Sequence, residues 1–121
     1  MIERTDWRWR GMPGHLIVSS SCCFHMVTEI GEIRVSTIGC YHSPMNAEER
    51  SYENRTPLGA GDDSLYETML FVVKDGKVTE WGELASERYG EESDAETGHM
   101  RFCEEVAQVD GDPERVREAS E

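Results

Sequence analysis

Between Leu65 and Lys74 apolar side chains alternate on both sides of the backbone, with Leu65, Met69, Phe71 and Val73 on one face and Tyr66, Leu70 and Val72 on the other. A strand of that kind has to be covered on both faces, so the fold must place it inside a sheet. Asp75-Gly76 then supplies the positive φ of a two-residue hairpin turn, and Lys77 to Leu84 is expected to return antiparallel to it. A chain of 121 residues has room for one core, burying roughly two-thirds of the surface the unfolded chain exposes. Residues 1–121 therefore read as a single domain.

The remaining elements are arranged around that strand. His15 to Ser19 is a short apolar strand after the Gly11-Met12-Pro13-Gly14 punctuation. Cys22 to Thr28 and Glu32 to Ile38 are β-rich runs around Glu29-Ile30-Gly31-Glu32, which reads as a second hairpin. Residues 1–13 form an N-terminal arm with Trp7 and Trp9. Residues 42–64, rich in Pro, Gly, Asn and charge, read as one long loop, and loops of that length often carry function. Ser93 and Glu96 have the spacing of a capping box, and Ala95, His99, Phe102, Cys103, Val106 and Val109 recur at helical spacing behind it. Gly111 stands where that helix should stop. Asp112-Pro113 opens either a short second helix or an acidic tail over 112–121. The expected class is α+β, a two-layer fold with an antiparallel sheet of about five strands and one principal C-terminal helix packed on a face.

Charge sets the partners. The chain holds 25 acidic and 12 basic side chains, a net of −13, and residues 80–121 alone carry 14 acidic and 4 basic ones, a net of −10. Such a field repels nucleic-acid backbones and anionic lipid and suits a basic protein surface. The longest apolar run, Met69 to Val73, is far below the roughly 20 residues of a membrane helix. No secretory signal is readable in the charged, aromatic N-terminus, so the expected location is the cytoplasm.

Cysteine and histidine raise the question of a metal. Cys23 with His25, and Cys40 with His42, are two i,i+2 pairs. A hairpin centred on Ile30-Gly31 places Cys40 diagonal to Cys23 and leaves His42 about 20 Å along the strands from His25. One zinc, whose ligands lie about 2.0–2.3 Å away, cannot take all four. A Cys23/Cys40 pair aided by another residue stays open, but the reading carries no metal and no cofactor. His99 and Cys103 are one helical turn apart on the apolar stripe, which favours packing over a catalytic dyad. Gly98, inside the same helix, suggests a close helix–sheet contact.

Glu67 interrupts the most buried strand, and a buried carboxylate needs a partner, for which Arg34 is the candidate. Pairing would make either a structural ion pair or the floor of a small ligand pocket with Ser36, Thr37, Tyr66, Thr68 and His99. No catalytic residue is nominated, since the nucleophile-elbow, zincin and phosphate-loop spacings are all missing.

Arg34-Val35-Ser36-Thr37-Ile38-Gly39, Tyr66-Glu67-Thr68-Met69-Leu70-Phe71 and Gly98-His99-Met100 followed by Cys103 resemble, in that order, a group of small uncharacterised proteins encoded by bacteriophages and their bacterial hosts. The resemblance spans most of Pro13 to Ala107 and implies a phage context without an activity. The expected function is that of a non-enzymatic acidic accessory protein, binding a basic surface on a host protein or another phage protein. It would act in the host cytoplasm by imitating nucleic-acid charge. The alternatives are a small-ligand or metal-binding protein with its site on the sheet face, and a minor virion component. A homo-oligomer is compatible with each.

Overall fold

Gly31 and Glu32 make a two-residue turn, with Gly31 at φ +60°, the left-handed region glycine enters without a Cβ penalty. The turn joins β2 (Cys22–Ile30) to β3 (Ile33–Tyr41) in a computed structural model that describes residues 1–9, 22–41 and 66–120. The expected strand at His15 to Ser19 and the loop at 42–64 fall outside the described residues. A second hairpin, through Asp75 and Gly76 at φ 53° and 78°, joins β4 (Tyr66–Lys74) to β5 (Lys77–Tyr89). With the short β1 (Arg8–Trp9), these strands form one antiparallel sheet in the order β1-β2-β3-β4-β5. Helices α1 (Glu92–Gln108) and α2 (Pro113–Ser120) follow, so the α+β class with the main helix on the sheet is the observed one.

The β4 side chains are buried on both alternations from Tyr66 to Val73, apart from the half-buried Met69, as the two-sided apolar pattern requires. One sheet face packs Ile30, Ile33, Val35 and Leu70 against Cys103, Val106 and Ala107 of α1. The other buries Val27, Ile38, Phe71 and Val73.

Several boundaries differ from the sequence reading. β2 and β3 pair through Ile30–Ile33 and Cys22–Tyr41, a register two residues from that of a turn centred on Ile30-Gly31. The apolar pattern is blind to such a slip, because a shift of two returns every side chain to the same face. β5 runs to Tyr89 instead of Leu84. Between the pairs Val72–Glu80 and Leu70–Ala85, residues 81–84 of β5 stand against Phe71 alone, a break in register after which Ala85 to Tyr89 rejoin the ladder. Ala-Ser-Glu-Arg has weak β-propensity, and its pairing with Glu67–Leu70 overrides that.

The capping box is not formed. The N-cap of α1 is Glu91, with no side-chain cap, and Ser93 lies inside the first turn. Glu92 and Asp94 in that turn complement the positive end of the helix instead.

Residues 1–9 are not an arm. Trp7 is 6% exposed within the core, the Ile2 amide donates to the Ala107 carbonyl at 2.9 Å, and Arg8 and Trp9 pair with Glu29 and Thr28. Residues 113–120 are likewise a helix with Val116 in the core, its first turn capped by Asp112, which accepts from the Glu114 amide at 3.0 Å. Gly111 ends α1 as expected, at φ +60°. A Cβ there would overlap the Ile30 carbonyl, and the Glu32 amide donates to the Gly111 carbonyl at 3.0 Å. The α1 C-terminus is thereby fastened to the β2–β3 turn.

Candidate functional site

Side chains alternate faces along a strand, and this divides the residues named from the sequence. Thr37, Tyr66 and Thr68 belong to the face covered by α1, where His99 meets Thr37. Arg34, Ser36 and Glu67 belong to the opposite face. The sheet itself therefore separates the expected pocket into two halves.

The Arg34–Glu67 pair does not form either. Arg34 donates to its cross-strand neighbour Glu29 through Nε at 3.0 Å and Nη2 at 2.6 Å. Glu67 accepts from Arg88, its own neighbour on β5, at 2.9 Å. Directly opposed residues on adjacent strands are about 5 Å apart at Cα, so each acid takes the base beside it. Glu29 and Arg88 were not nominated from the sequence because the register that pairs them is not written in the apolar pattern.

On the α1 face the hydroxyls and imidazole form one continuous chain. Thr28 Oγ1 lies 2.9 Å from His99 Nε2, Thr37 Oγ1 lies 2.8 Å from His99 Nδ1, and Thr37 and Thr68 share a hydrogen bond of 2.5 Å. Tyr89 donates to Thr68 at 3.2 Å, and Thr28 also bonds the Cys103 thiol. The Nε2–H tautomer completes this chain in one direction: Tyr89 donates to Thr68, Thr68 to Thr37, Thr37 to Nδ1, and Nε2–H to Thr28.

Thr28, Thr37, Thr68, His99 and Cys103 are all sealed from solvent. Burial holds His99 down at about 4, so the ring is neutral, and pushes the Cys103 thiol up to about 12. A neutral thiol is a poor nucleophile and a poor metal ligand. Burial likewise raises Tyr89 above its ordinary value, outweighing the Thr68 hydrogen bond that lowers it. Every polar group here is satisfied internally, so the network specifies which threonines face α1 and contributes to the uniqueness of the core. Thr28 and Tyr89 complete it and were missed from the sequence. Thr28 has the strand parity that points to this face, whereas Tyr89 lay beyond the expected end of its strand.

Tyr89 also explains Gly98. A Cβ on residue 98 would overlap the Tyr89 ring and hydroxyl, so the helix meets the sheet on this glycine. Gly98→Ala is expected to lower stability by about 1–2 kcal/mol, because overpacking at the upper end of its usual cost exceeds the roughly 1 kcal/mol gained in helix propensity. A urea midpoint that rises in this variant would remove the close-contact account. Tyr66 is similarly a packing residue, its ring lying over Gly39 on β3.

Beside this contact an open groove runs between the end of β5 and the start of α1, lined by Glu87, Tyr89, Asp94, Thr97 and Arg101. Glu91, Glu92, Asp94 and Glu96 are exposed around it. Among the described residues none of these four carboxylates has an ion-pair partner, whereas Glu104 pairs with Arg4, Glu87 with Arg101 and Glu80 with Arg117.

Among the described residues no helix is long and apolar enough to cross a membrane, and no group of three ligating side chains is placed to hold a metal ion. In comparisons with protein-family models, curated proteins and solved structures, nothing matches this chain.

Proposed function

We propose that this protein is a non-enzymatic, phage-type accessory factor that binds a basic surface of a host protein by presenting carboxylates in place of nucleic-acid phosphates. The observation that carries this reading is the group Glu91, Glu92, Asp94 and Glu96, exposed and without ion-pair partners among the described residues, in a segment of net charge −10. The other two acids of α1, Glu104 and Glu105, stand beside Arg4 and Arg101, so the unneutralised carboxylates of this helix gather at its start. Electrostatic complementarity of this kind speeds association and selects partners more than it adds affinity.

The test immobilises the full chain, captures host proteins at low salt, and challenges the complex with salt and with duplex DNA. Retained proteins should be basic and released by added DNA, which competes for the same surface. Raising ionic strength should weaken the complex steeply, since the Debye length falls from about 10 Å at 0.1 M to about 3 Å at 1 M. The quadruple variant E91Q/E92Q/D94N/E96Q should lose the complex while staying folded, its unfolding midpoint lowered only by the helix-end contribution of Glu92 and Asp94, about 0.3–1 kcal/mol each. Binding unchanged by salt, or retained by the quadruple variant, would count against the reading.

A further inference from the structure

The apolar stripe of α1 is not fully covered by α2. Val106 is buried, but Phe102 and Val109, at i−4 and i+3 from it on the same helix face, are only partly so. On α2, Val116 enters the core, whereas Ala119, one turn further, is exposed and offers only a methyl group. Between the two helix faces, over Leu70 of β4, a cleft of about 70 Å³ is left open. Its rim is acidic. Glu105 lines it and is exposed, and Arg101, 4.0 Å away, is shared with Glu87. Glu118, next to Ala119, is exposed and has no ion-pair partner among the described residues. Arg115 and Arg117 are held by Asp110 and Glu80.

We propose that this cleft receives one aliphatic side chain, of leucine or isoleucine type, presented between lysines or arginines of the basic partner. Volume decides the class of occupant. Small-molecule pockets run to about 300–1,000 Å³, and an apolar cavity of about 150 Å³ takes benzene. A space of 70 Å³ suits a short branched alkyl group and excludes a ring. The rim decides the charge, since a fatty-acid carboxylate or a phosphate would meet Glu105 and Glu118, whereas a base would pair with them. The partner's charge is that of the proposed function, on which this rests, and the cleft adds an apolar anchor to it. Interfaces draw most of their affinity from a few side chains seated in pockets, while the charges around them steer the encounter. Asp94 and Glu105 are about 16 Å apart along α1, within the breadth of one ordinary interface of about 800 Å² per partner.

Two acetylated, amidated pentapeptides of equal charge, Lys-Lys-Leu-Lys-Lys and Lys-Lys-Ser-Lys-Lys, test the cleft on the full chain by methyl NMR titration. The leucine peptide should bind about 10-fold tighter than the serine peptide, the worth of burying one aliphatic side chain. It should also shift the methyl signals of Leu70, Val106, Val109 and Val116. Added salt should weaken both peptides and leave their ratio unchanged, because only the charge they share is screened. Ala119→Leu, which fills the mouth from an exposed helical position, should bring the two peptides to equal affinity, and Ala119→Ser should keep the leucine preference. Equal affinity of the two peptides for wild-type protein overturns the proposal without requiring any variant to fold, and so does a leucine preference retained in Ala119→Leu. The proposed function fails separately: host capture that stays sensitive to salt and DNA upholds it when the peptides bind equally, and capture indifferent to salt removes it even when leucine is preferred.

Discussion

Arg34→Met is expected to destabilise the protein by about 3–5 kcal/mol, the usual cost of stripping the partner from a buried charge. Glu29 is fully buried, and Arg34 holds it through two hydrogen bonds while remaining only 14% exposed itself. Its guanidinium also donates to the Gly76 carbonyl at 3.2 Å, so the same group ties the β2–β3 pair to the β4–β5 turn. Arg8 is no substitute: it approaches Glu29 at 3.7 Å from a half-exposed position, where water screens it. The double variant Glu29→Met/Arg34→Met should recover most of the loss, because an apolar pair of similar volume removes the desolvation cost of both ions. Urea unfolding of the two single variants and the double variant closes the cycle. If the double variant is as unstable as Arg34→Met, the cost lies in packing or in the Gly76 contact, and the charge argument is wrong.

Acidification is expected to remove about 3 kcal/mol through His99 alone, as the difference between an ordinary histidine near 6.5 and the folded value of about 4. The sign follows from proton counting. Between those values the unfolded chain binds a proton at His99 that the folded protein refuses, so stability rises with pH across the window. The contribution is complete above about 6.5 and lost as pH falls toward 4. Desolvation is the cause, and the groups bonded to the ring, Thr28 and Thr37, are neutral. Protonation makes both ring nitrogens donors, so Thr28 and Thr37 must both accept from the ring and send their own protons elsewhere.

His99→Ala should flatten this part of the pH profile. It should also cost about 3–5 kcal/mol at pH 7, combining a cavity under α1 with two buried hydroxyls that lose their partner. Unfolding free energies of both proteins from pH 4 to 7 read out both effects. An unchanged slope in His99→Ala would assign the pH dependence to the carboxylates instead.

What the sequence determined was the set of elements. Two-sided apolarity made β4 a covered strand, Asp75-Gly76 and Gly31 marked both hairpins, and the helical recurrence of Ala95, His99, Cys103 and Val106 fixed the buried stripe of α1. These signals are local, arising from the period of side chains along one element and from residues that tolerate positive φ. The tertiary structure decided which element lies beside which, and with what register. It gave Arg34 to Glu29 and Glu67 to Arg88, set Cys23 opposite Cys40, carried β5 on to Tyr89 and drew Trp7 into the core. The reason is that a shift of two residues preserves every face and every apolar pattern, while the partner of each polar side chain changes. Only the packed structure, where the helix end fastens on the Gly31 turn and the hydroxyls of β2, β3 and β4 converge on His99, selects one register from that set.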